Sequence, residues 1–453
     1  MNVKILAESQ TAYNLMHKGA LCFSGMTDWG IRVDEDYCKR IDKHLSKKII
    51  EQEHKVRSSS EIKAWKEKYG DKTNLNSHQQ MADILFNELD YQPVMTTEKG
   101  NPSTSAEALD LMNVNFASAM RQLNKYKKTK NNFLKNIMQE AVNGRIHPFF
   151  NLHTTVTYRS SSSRLNFQNI PKRDRYISML LRKAFRPSKD RLFLEFDFKG
   201  AEVSVGCCEH KDPTMIQEVI DPTLDMHRDA ACNLFFMKDK NQITSSIRYL
   251  AKNGFVFPEF YGDYWLRCAE NIWKMMLEQS LKFVDGKLLK DHLEENGIVS
   301  CEDFMEHVER CEDVFWKQKY KVYDKWKKKA WRSYQKKGKV ELLSGFVCKG
   351  ILDTKQVSNY RIQGPAFHCL LQAIIFVSKE LKVNRLKSKL CGQIHDSMLI
   401  DTVPDEKAKV IKVVKEAIQK VQEMWDWVIV PLVIEAEESK INGSWYRMDE
   451  IEI

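Results

Sequence analysis

The chain has no run approaching the roughly 18 apolar residues that a membrane helix requires. Its first residues, Met1-Asn2-Val3-Lys4-Ile5, lack the apolar stretch of a secretory signal. Both absences point to a soluble, cytoplasmic protein with no membrane partner. None of the 11 cysteines falls in a Cys-x-x-Cys pair, and the adjacent Cys207 and Cys208 are poorly placed to bond each other. The thiols are read as reduced, and a zinc site lacks its usual ligand spacing. There is no internal repeat and no long linker. Acidic residues are in deficit: 71 Lys and Arg against 61 Asp and Glu leave a charge of +10. That excess suits a polyanionic partner without requiring one. The 453 residues exceed what one compact core usually holds, so two or three subdomains are expected.

Residues 35–90 read as helical and heavily charged. A polar loop follows over residues 96–105. Thr104 and Glu107 have capping-box spacing, which predicts a helix from there that continues to about Gly144. Residues 191–197 alternate as a strand, with Leu192, Leu194 and Phe196 on one face and Phe193, Glu195 and Asp197 on the other. Residues 240–256 read as a helix that Pro258 should kink or end. Between 310 and 337, Trp316, Tyr320, Tyr323, Ala330 and Tyr334 recur at helical spacing. They are read as core, with the intervening lysines mainly a solvated face. Residues 389–402 form two short strands around His395-Asp396, that is, a hairpin.

Asp197 ends its strand and Asp396 sits at the hairpin tip. Singly, each is most simply a cap or turn former. Together, with a basic helix between them in sequence, they suggest phosphoryl chemistry. Two carboxylates can hold two Mg²⁺ about 3.5–4 Å apart. Arg248 and Lys252 are four residues apart and share a helix face, suited to gripping a triphosphate. The aromatic run Phe255-Val256-Phe257-Pro258-Glu259-Phe260-Tyr261 beside them offers rings on which a base can stack.

The order Asp197…Glu202, Arg248…Lys252…Tyr261-Gly262, His395-Asp396 resembles motifs A, B and C of family A DNA polymerases. Residues 159–171, Arg-Ser-Ser-Ser-Ser-Arg-Leu-Asn-Phe-Gln-Asn-Ile-Pro, are similar to the family's loop ahead of motif A. Asp225-Met226-His227, Asn359-Tyr360-Arg361-Ile362-Gln363-Gly364, Leu75-Asn76-Ser77, residues 99–105, Pro431-Leu432-Val433-Ile434-Glu435 and Gly443-Ser444-Trp445 resemble further segments, so the likeness spans nearly the whole chain. It implies an α+β fold of right-hand architecture: a palm built on an antiparallel sheet, with helical fingers and thumb. The expected division is a thumb-like region at 1–150, palm at 151–225, fingers at 226–339 and palm again at 340–453.

The resemblance also implies roles. Asp197 and Asp396 would bind two Mg²⁺, or Mn²⁺ in their place, with the Phe198 carbonyl assisting. His227, Arg248 and Lys252 would meet the phosphates of an incoming dNTP, Phe257 would stack on it, and Tyr261 would guard the templating position. Arg159, Asn166, Gln168, Asn169 and Gln363 would contact primer–template DNA. His395 would touch the primer end, and Ser103 and Thr104 would lie near duplex phosphates. Glu202 would pack beneath the sugar and reject a 2′-hydroxyl, which argues against the alternative of a single-subunit RNA polymerase. A non-catalytic, polymerase-derived replisome subunit is the other alternative, opposed by the retention of both aspartates, Arg248 and Lys252.

Three departures stand out. Ser397 stands where the family commonly has Glu, and Ser204 where an Arg is common. The stacking ring is Phe257 when counted back from Tyr261-Gly262, but position 256 when counted forward from Lys252. On a regular helix Phe257 would lie about 140° from Lys252. A one-residue π-bulge would restore it, which favours Phe257 over Phe255. A thumb beginning by about residue 15 leaves no room for a proofreading domain. The expectation is a compact, phage-type polymerase module, with a separate exonuclease or processivity subunit as a potential partner.

Overall fold

The computed structural model describes residues 10–453 except Glu98 and Arg173. The opening residues read against a signal peptide, and Glu98 of the polar loop, lie outside the described residues. The chain adopts the α+β arrangement expected: a five-stranded antiparallel sheet, with three smaller antiparallel sheets, set among many helices.

The helices α1 (Gln10–Trp29) and α2 (Glu35–Arg57) come first. Asp34 caps α2, accepting from the Tyr37 N–H at 2.9 Å, with Glu35 and Asp36 in its first turn and His54, Lys55 and Arg57 in its last. Those charges complement the helix dipole at both ends. The helix expected at Thr104 is instead capped by Ser105 and is short, Ala106–Leu111. Ser105 Oγ accepts from the Ala108 N–H, while the Thr104 hydroxyl is taken up by His78. Nor is the segment to Gly144 continuous. Asn113 adopts a left-handed φ of 47°, separating Ala106–Leu111 from α3 (Asn115–Lys128).

Strand β1 (Leu192–Phe198) is the centre of a five-stranded sheet. Helix α4 (Ala201–His210) follows it directly. Beyond α4 lie α5 (Met226–Leu234) and α6 (Ser245–Ala251), the latter capped by Thr244. The expected helix over 240–256 is thus divided: a 3₁₀ turn at Lys240–Gln242 precedes α6, and a π-turn at Lys252–Val256 follows it. Pro258 lies in the first turn of the short helix α7 (Phe257–Phe260), where a missing N–H is tolerated. Helix α8 (Lys321–Lys337) leads to the 30-residue α9 (Thr354–Val383). Strands β2 (Lys389–Ile394) and β3 (Ser397–Thr402) form the hairpin, and β4 (Ile434–Ser439) and β5 (Met448–Ile451) complete the sheet. The sheet order is β5-β4-β1-β3-β2. Both faces of β1 are covered, so Phe193 is as buried as Leu194.

Three apolar cores hold the molecule together. The largest joins the sheet to α1 and α9. The second, from Cys207 through Tyr323, includes α5, α6 and the π-turn. The third lies within residues 56–123 and centres on Trp65, Ile84 and Phe116. Trp316, Tyr320, Tyr323 and Ala330 are buried, as their spacing suggested. The lysines among them are not all solvated. Lys327 Nζ lies 3.2 Å from the Trp316 ring centroid, and burial pulls its pKa down to about 8. All 11 cysteines are free thiols.

Gly254 lets the π-turn dock. A Cβ there would stand 2.4 Å from Cγ1 of Ile272, a wholly buried side chain on the helix Trp265–Glu278. Gly254→Ala should therefore destabilise the protein by about 1–3 kcal/mol through overpacking. Shortening the obstacle with Ile272→Ala should make the glycine substitution less damaging than it is in the wild-type background. Denaturant melts of the four proteins read this directly. Equal effects of Gly254→Ala in both backgrounds would show that the contact is not the constraint.

Candidate active site

Strand pairing assembles the site. In the antiparallel ladder, Asp197 on β1 lies opposite Ser397 on β3. Asp396 immediately precedes Ser397, so the register alone puts the two carboxylates at one end of the sheet. The Phe198 N–H donates to the Asp396 carbonyl at 3.1 Å and locks the hairpin tip onto β1. His395 at that tip has a φ of 49°, a left-handed conformation that costs a non-glycine residue on the order of 1 kcal/mol.

A cleft of about 580 Å³ opens here, lined by Gln168, Asn169, Lys172, Glu195, Asp197, His395 and Asp396 among others. Neither the Asp197 nor the Asp396 carboxylate has a hydrogen-bond donor or an ion-pair partner among the described residues. The Asp197 pKa is pushed up to about 6, chiefly because surrounding protein displaces water. Lys172 opposes the rise, and Asp396, Glu195 and Glu435 add to it. A pair of unsatisfied carboxylates sharing a cleft is a donor set that fits hard divalent cations. No three His, Cys, Asp or Glu side chains among the described residues stand close enough to form a complete metal cage. Such cations would complete their coordination with carbonyls, water or substrate, as Mg²⁺ commonly does.

The cationic side of the site comes from α5, α6 and the π-turn. Arg248 Nε donates to Asp225 Oδ2 at 2.6 Å, and Asp225 also caps α5 through the His227 and Arg228 N–H groups. His227 is buried, with its Nδ1 unpartnered among the described residues. Burial, then Arg248 and Lys252, pulls its pKa down to about 4, so it is neutral at pH 7. Burial likewise lowers the pKa of Lys252. The π-turn resolves the register of the aromatic residue. Phe257 lies 4.9 Å from Lys252 Nζ and 5.6 Å from the His227 ring, whereas Phe255 is buried against Phe315.

Glu202, on α4, joins the two sides. One of its carboxylate oxygens accepts from Arg159 and the other from the Tyr261 hydroxyl. The Tyr261 ring stands 6.4 Å from that of Phe257. The Gln363 carbonyl accepts from Arg159 Nε at 3.4 Å. Gln168 is buried, bonded to Ser160 and Gln393, while Asn166 and Asn169 are exposed. Ser103 and Thr104 are not brought to this cleft. They are buried beside a separate groove with His78 and Phe86. Sequence reading passed over Lys172, Asp225 as the partner of Arg248, and the Ser160–Gln168–Gln393 network. Only Asp225 had a local signal, as a helix cap beside His227.

The family model for DNA polymerase family A matches residues 37–446. The chain belongs to DNA polymerase family A. It is 28% identical over 436 residues to DNA polymerase I of Bacillus subtilis (strain 168), covering 94% of this chain and 44% of that protein. It is 24% identical over 414 residues to a DNA polymerase of Bacillus phage SP01, covering 84% of this chain and 41% of the relative. The chain thus spans less than half the length of these two relatives. Among solved structures, the POL domain of Pol1 from M. smegmatis, in complex with DNA primer-template and dNTP, matches with a TM-score of 0.75 at 20% identity. The match covers 95% of this chain and 70% of that one. That likeness shows the right-hand polymerase fold of the family. No described helix of this family A chain is long and apolar enough to cross a membrane.

The raised Asp197 pKa has a definite sign. Its carboxyl binds a proton more tightly in the folded chain than the unfolded reference near 3.8. The charged form therefore lowers stability at neutral pH, and this penalty lifts as pH falls through about 6 towards 4. A proton and a cation compete for the same oxygens. Mn²⁺ affinity, measured by titration calorimetry, should weaken as pH falls through about 6. Asp197→Asn should bind the ion more weakly and lose that pH step. An unchanged step in the variant would assign it to another group.

Proposed function

We propose that this chain is the polymerase module of a template-directed DNA polymerase, adding dNTPs to a primer 3′-hydroxyl on primer–template DNA. The observation that supports it best is the pair of uncompensated carboxylates, Asp197 and Asp396, brought together at one end of the sheet in a family A chain that also clusters Arg248, Lys252 and His227. Asp197 and Asp396, with the Phe198 carbonyl, would hold two Mg²⁺, or Mn²⁺ in their place. When bound, the ions supply Lewis-acid polarisation of the attacking oxygen and charge stabilisation of the leaving one.

The chain's own residues position the reactants. Arg248 and Lys252 grip the triphosphate, the Arg by a bidentate clasp and the Lys as a point charge. Neutral His227 presents a single N–H to a phosphate oxygen. Phe257 stacks on the incoming base beside Lys252. Tyr261, tied to Glu202, occupies the template side until a templating base displaces it. Arg159, Asn166, Gln168, Asn169 and Gln363 follow the primer–template near its last pair, His395 meets the primer end, and Ser103 and Thr104 lie near duplex phosphates. In the reaction the primer 3′-oxygen bonds to the α-phosphorus as the bond to pyrophosphate breaks. The hydroxyl proton passes to solvent, and Arg248 and Lys252 balance the charge that leaves.

Glu202 sets the choice of sugar. Its carboxylate, fixed from both sides by Arg159 and Tyr261, fills the space a 2′-hydroxyl would need. Rejection by such a clash is independent of the metal-binding residues.

Single-nucleotide insertion on a defined primer–template tests the whole reading. The wild-type chain should extend with dNTP and not with NTP. Asp197→Asn or Asp396→Asn should reduce turnover by about a thousandfold or more, about 4 kcal/mol, with DNA affinity largely kept. Glu202→Gly should raise the NTP-to-dNTP ratio of kcat/KM by about a hundredfold. Near-normal turnover in either Asp variant would refute the metal assignment. A wild-type preference for NTP would favour the RNA polymerase alternative.

A further inference from the structure

Besides Asp197 and Asp396, the cleft is lined by Asp174, which is ion-paired with Lys125, and by Glu195, and the roles above use neither. Glu195 precedes Asp197 by two residues on β1 and so shares its face. It is 8% exposed and borders the same cleft. Its Oε1 accepts from the Ser397 hydroxyl at 2.8 Å, and its Oε2 accepts from Trp445 Nε1 at 2.8 Å. Both donors are neutral, and no ion pair engages Glu195 among the described residues. The Arg182 guanidinium lies over the Trp445 ring, 3.8 Å from its centroid, where its charge also acts on Glu195 without forming an ion pair. Trp445 is itself stacked on Phe167 at 4.8 Å and wholly buried. Glu195 is therefore held at both oxygens by neutral donors, with the Arg182 guanidinium as a nearby charge rather than an ion-pair partner.

Ser397 is the residue that follows Asp396, and its hydroxyl also lies 3.0 Å from the Ile394 carbonyl across the hairpin tip. Glu195 thus grips the turn that carries Asp396 while adding negative charge behind it. Position 397 carries no carboxylate in this chain; the neighbouring strand supplies one to the same corner.

We infer that Glu195 is a positioning residue for the divalent-cation site: it fixes the Asp396 turn through Ser397 and contributes its charge to cation affinity. This rests on the metal assignment proposed above. Glu195 acts without direct coordination, consistent with the absence of a three-residue cage among the described residues.

Mn²⁺ binding to the full chain, without DNA or nucleotide, separates the possibilities. Free Mn²⁺ is read by electron paramagnetic resonance, and thermal melts confirm folding. Glu195→Gln should weaken Mn²⁺ binding by about fivefold through loss of a nearby charge. Adding Ser397→Glu to that variant should bring affinity back to within about twofold of wild type, since the charge returns to the same corner. Unchanged affinity in Glu195→Gln, or no recovery in the double variant, overturns the inference. Should Glu195→Gln fail to fold, Ser397→Ala serves instead. It removes only the tie to the turn, should weaken Mn²⁺ binding by about two- to threefold, and overturns the inference if it has no effect. Asp396→Asn is the reference. Wild-type binding by that variant would remove the metal assignment and this inference with it. Its loss of binding alongside an unaffected Glu195→Gln would remove this inference alone.

Discussion

The register between β1 and β3 is the constraint on which the site depends. Asp197 pairs with Ser397, and the pairing continues without a shift to Leu192 and Thr402. A slip of one residue would turn Asp197 to the opposite face and bury it among apolar side chains. Leu194, Phe196, Met398 and Ile400 are buried at 1% exposure or less and hold the register through their packing. The Phe198 N–H bond to the Asp396 carbonyl pins the last rung. Apolar packing along the strands thus forces two like charges together at their end, a placement that neither carboxylate would favour alone. Burial is the main cause of the raised Asp197 pKa, and the Asp396 charge adds a smaller part.

A second device, the π-turn at Lys252–Val256, governs the other side. The extra residue rotates everything after it, so that Phe257 rather than Val256 faces Lys252 and His227. Val256 is then free to enter the core, where it is fully buried in the same cluster as Ile272. Gly254 makes the turn possible by leaving room for Ile272. From there Tyr261 reaches Glu202, and Glu202 reaches Arg159, so one carboxylate links the helical lobe to the loop that carries Arg159.

Much of this was legible in the sequence because it is encoded locally. The alternation over 191–197 and the paired runs around His395-Asp396 each specify a strand or hairpin within a few residues. The register conflict between Lys252 and Tyr261 was itself a local signal, and the π-turn is its structural answer. What escaped was tertiary. Thr104 and Ser105 are both plausible caps, and only the position of His78 in space removes Thr104 from the choice. Lys327 follows the pattern of a solvated lysine, yet it is buried over the Trp316 ring with the Glu259 carboxyl nearby. The Asp225–Arg248 pair and the Glu195–Ser397–Trp445 chain join residues 23, 202 and 250 positions apart, beyond the reach of any periodicity.

The central claim is that Asp197 and Asp396 together hold two cations at the reacting phosphate. Crystals of the chain with primer–template, a non-hydrolysable dNTP analogue and Mn²⁺ would show it by anomalous scattering. Two peaks about 3.5–4 Å apart, lying between the Asp197 and Asp396 carboxylates and the triphosphate, are the expected result. A single peak, or none touching both aspartates while the nucleotide is bound, would contradict the account.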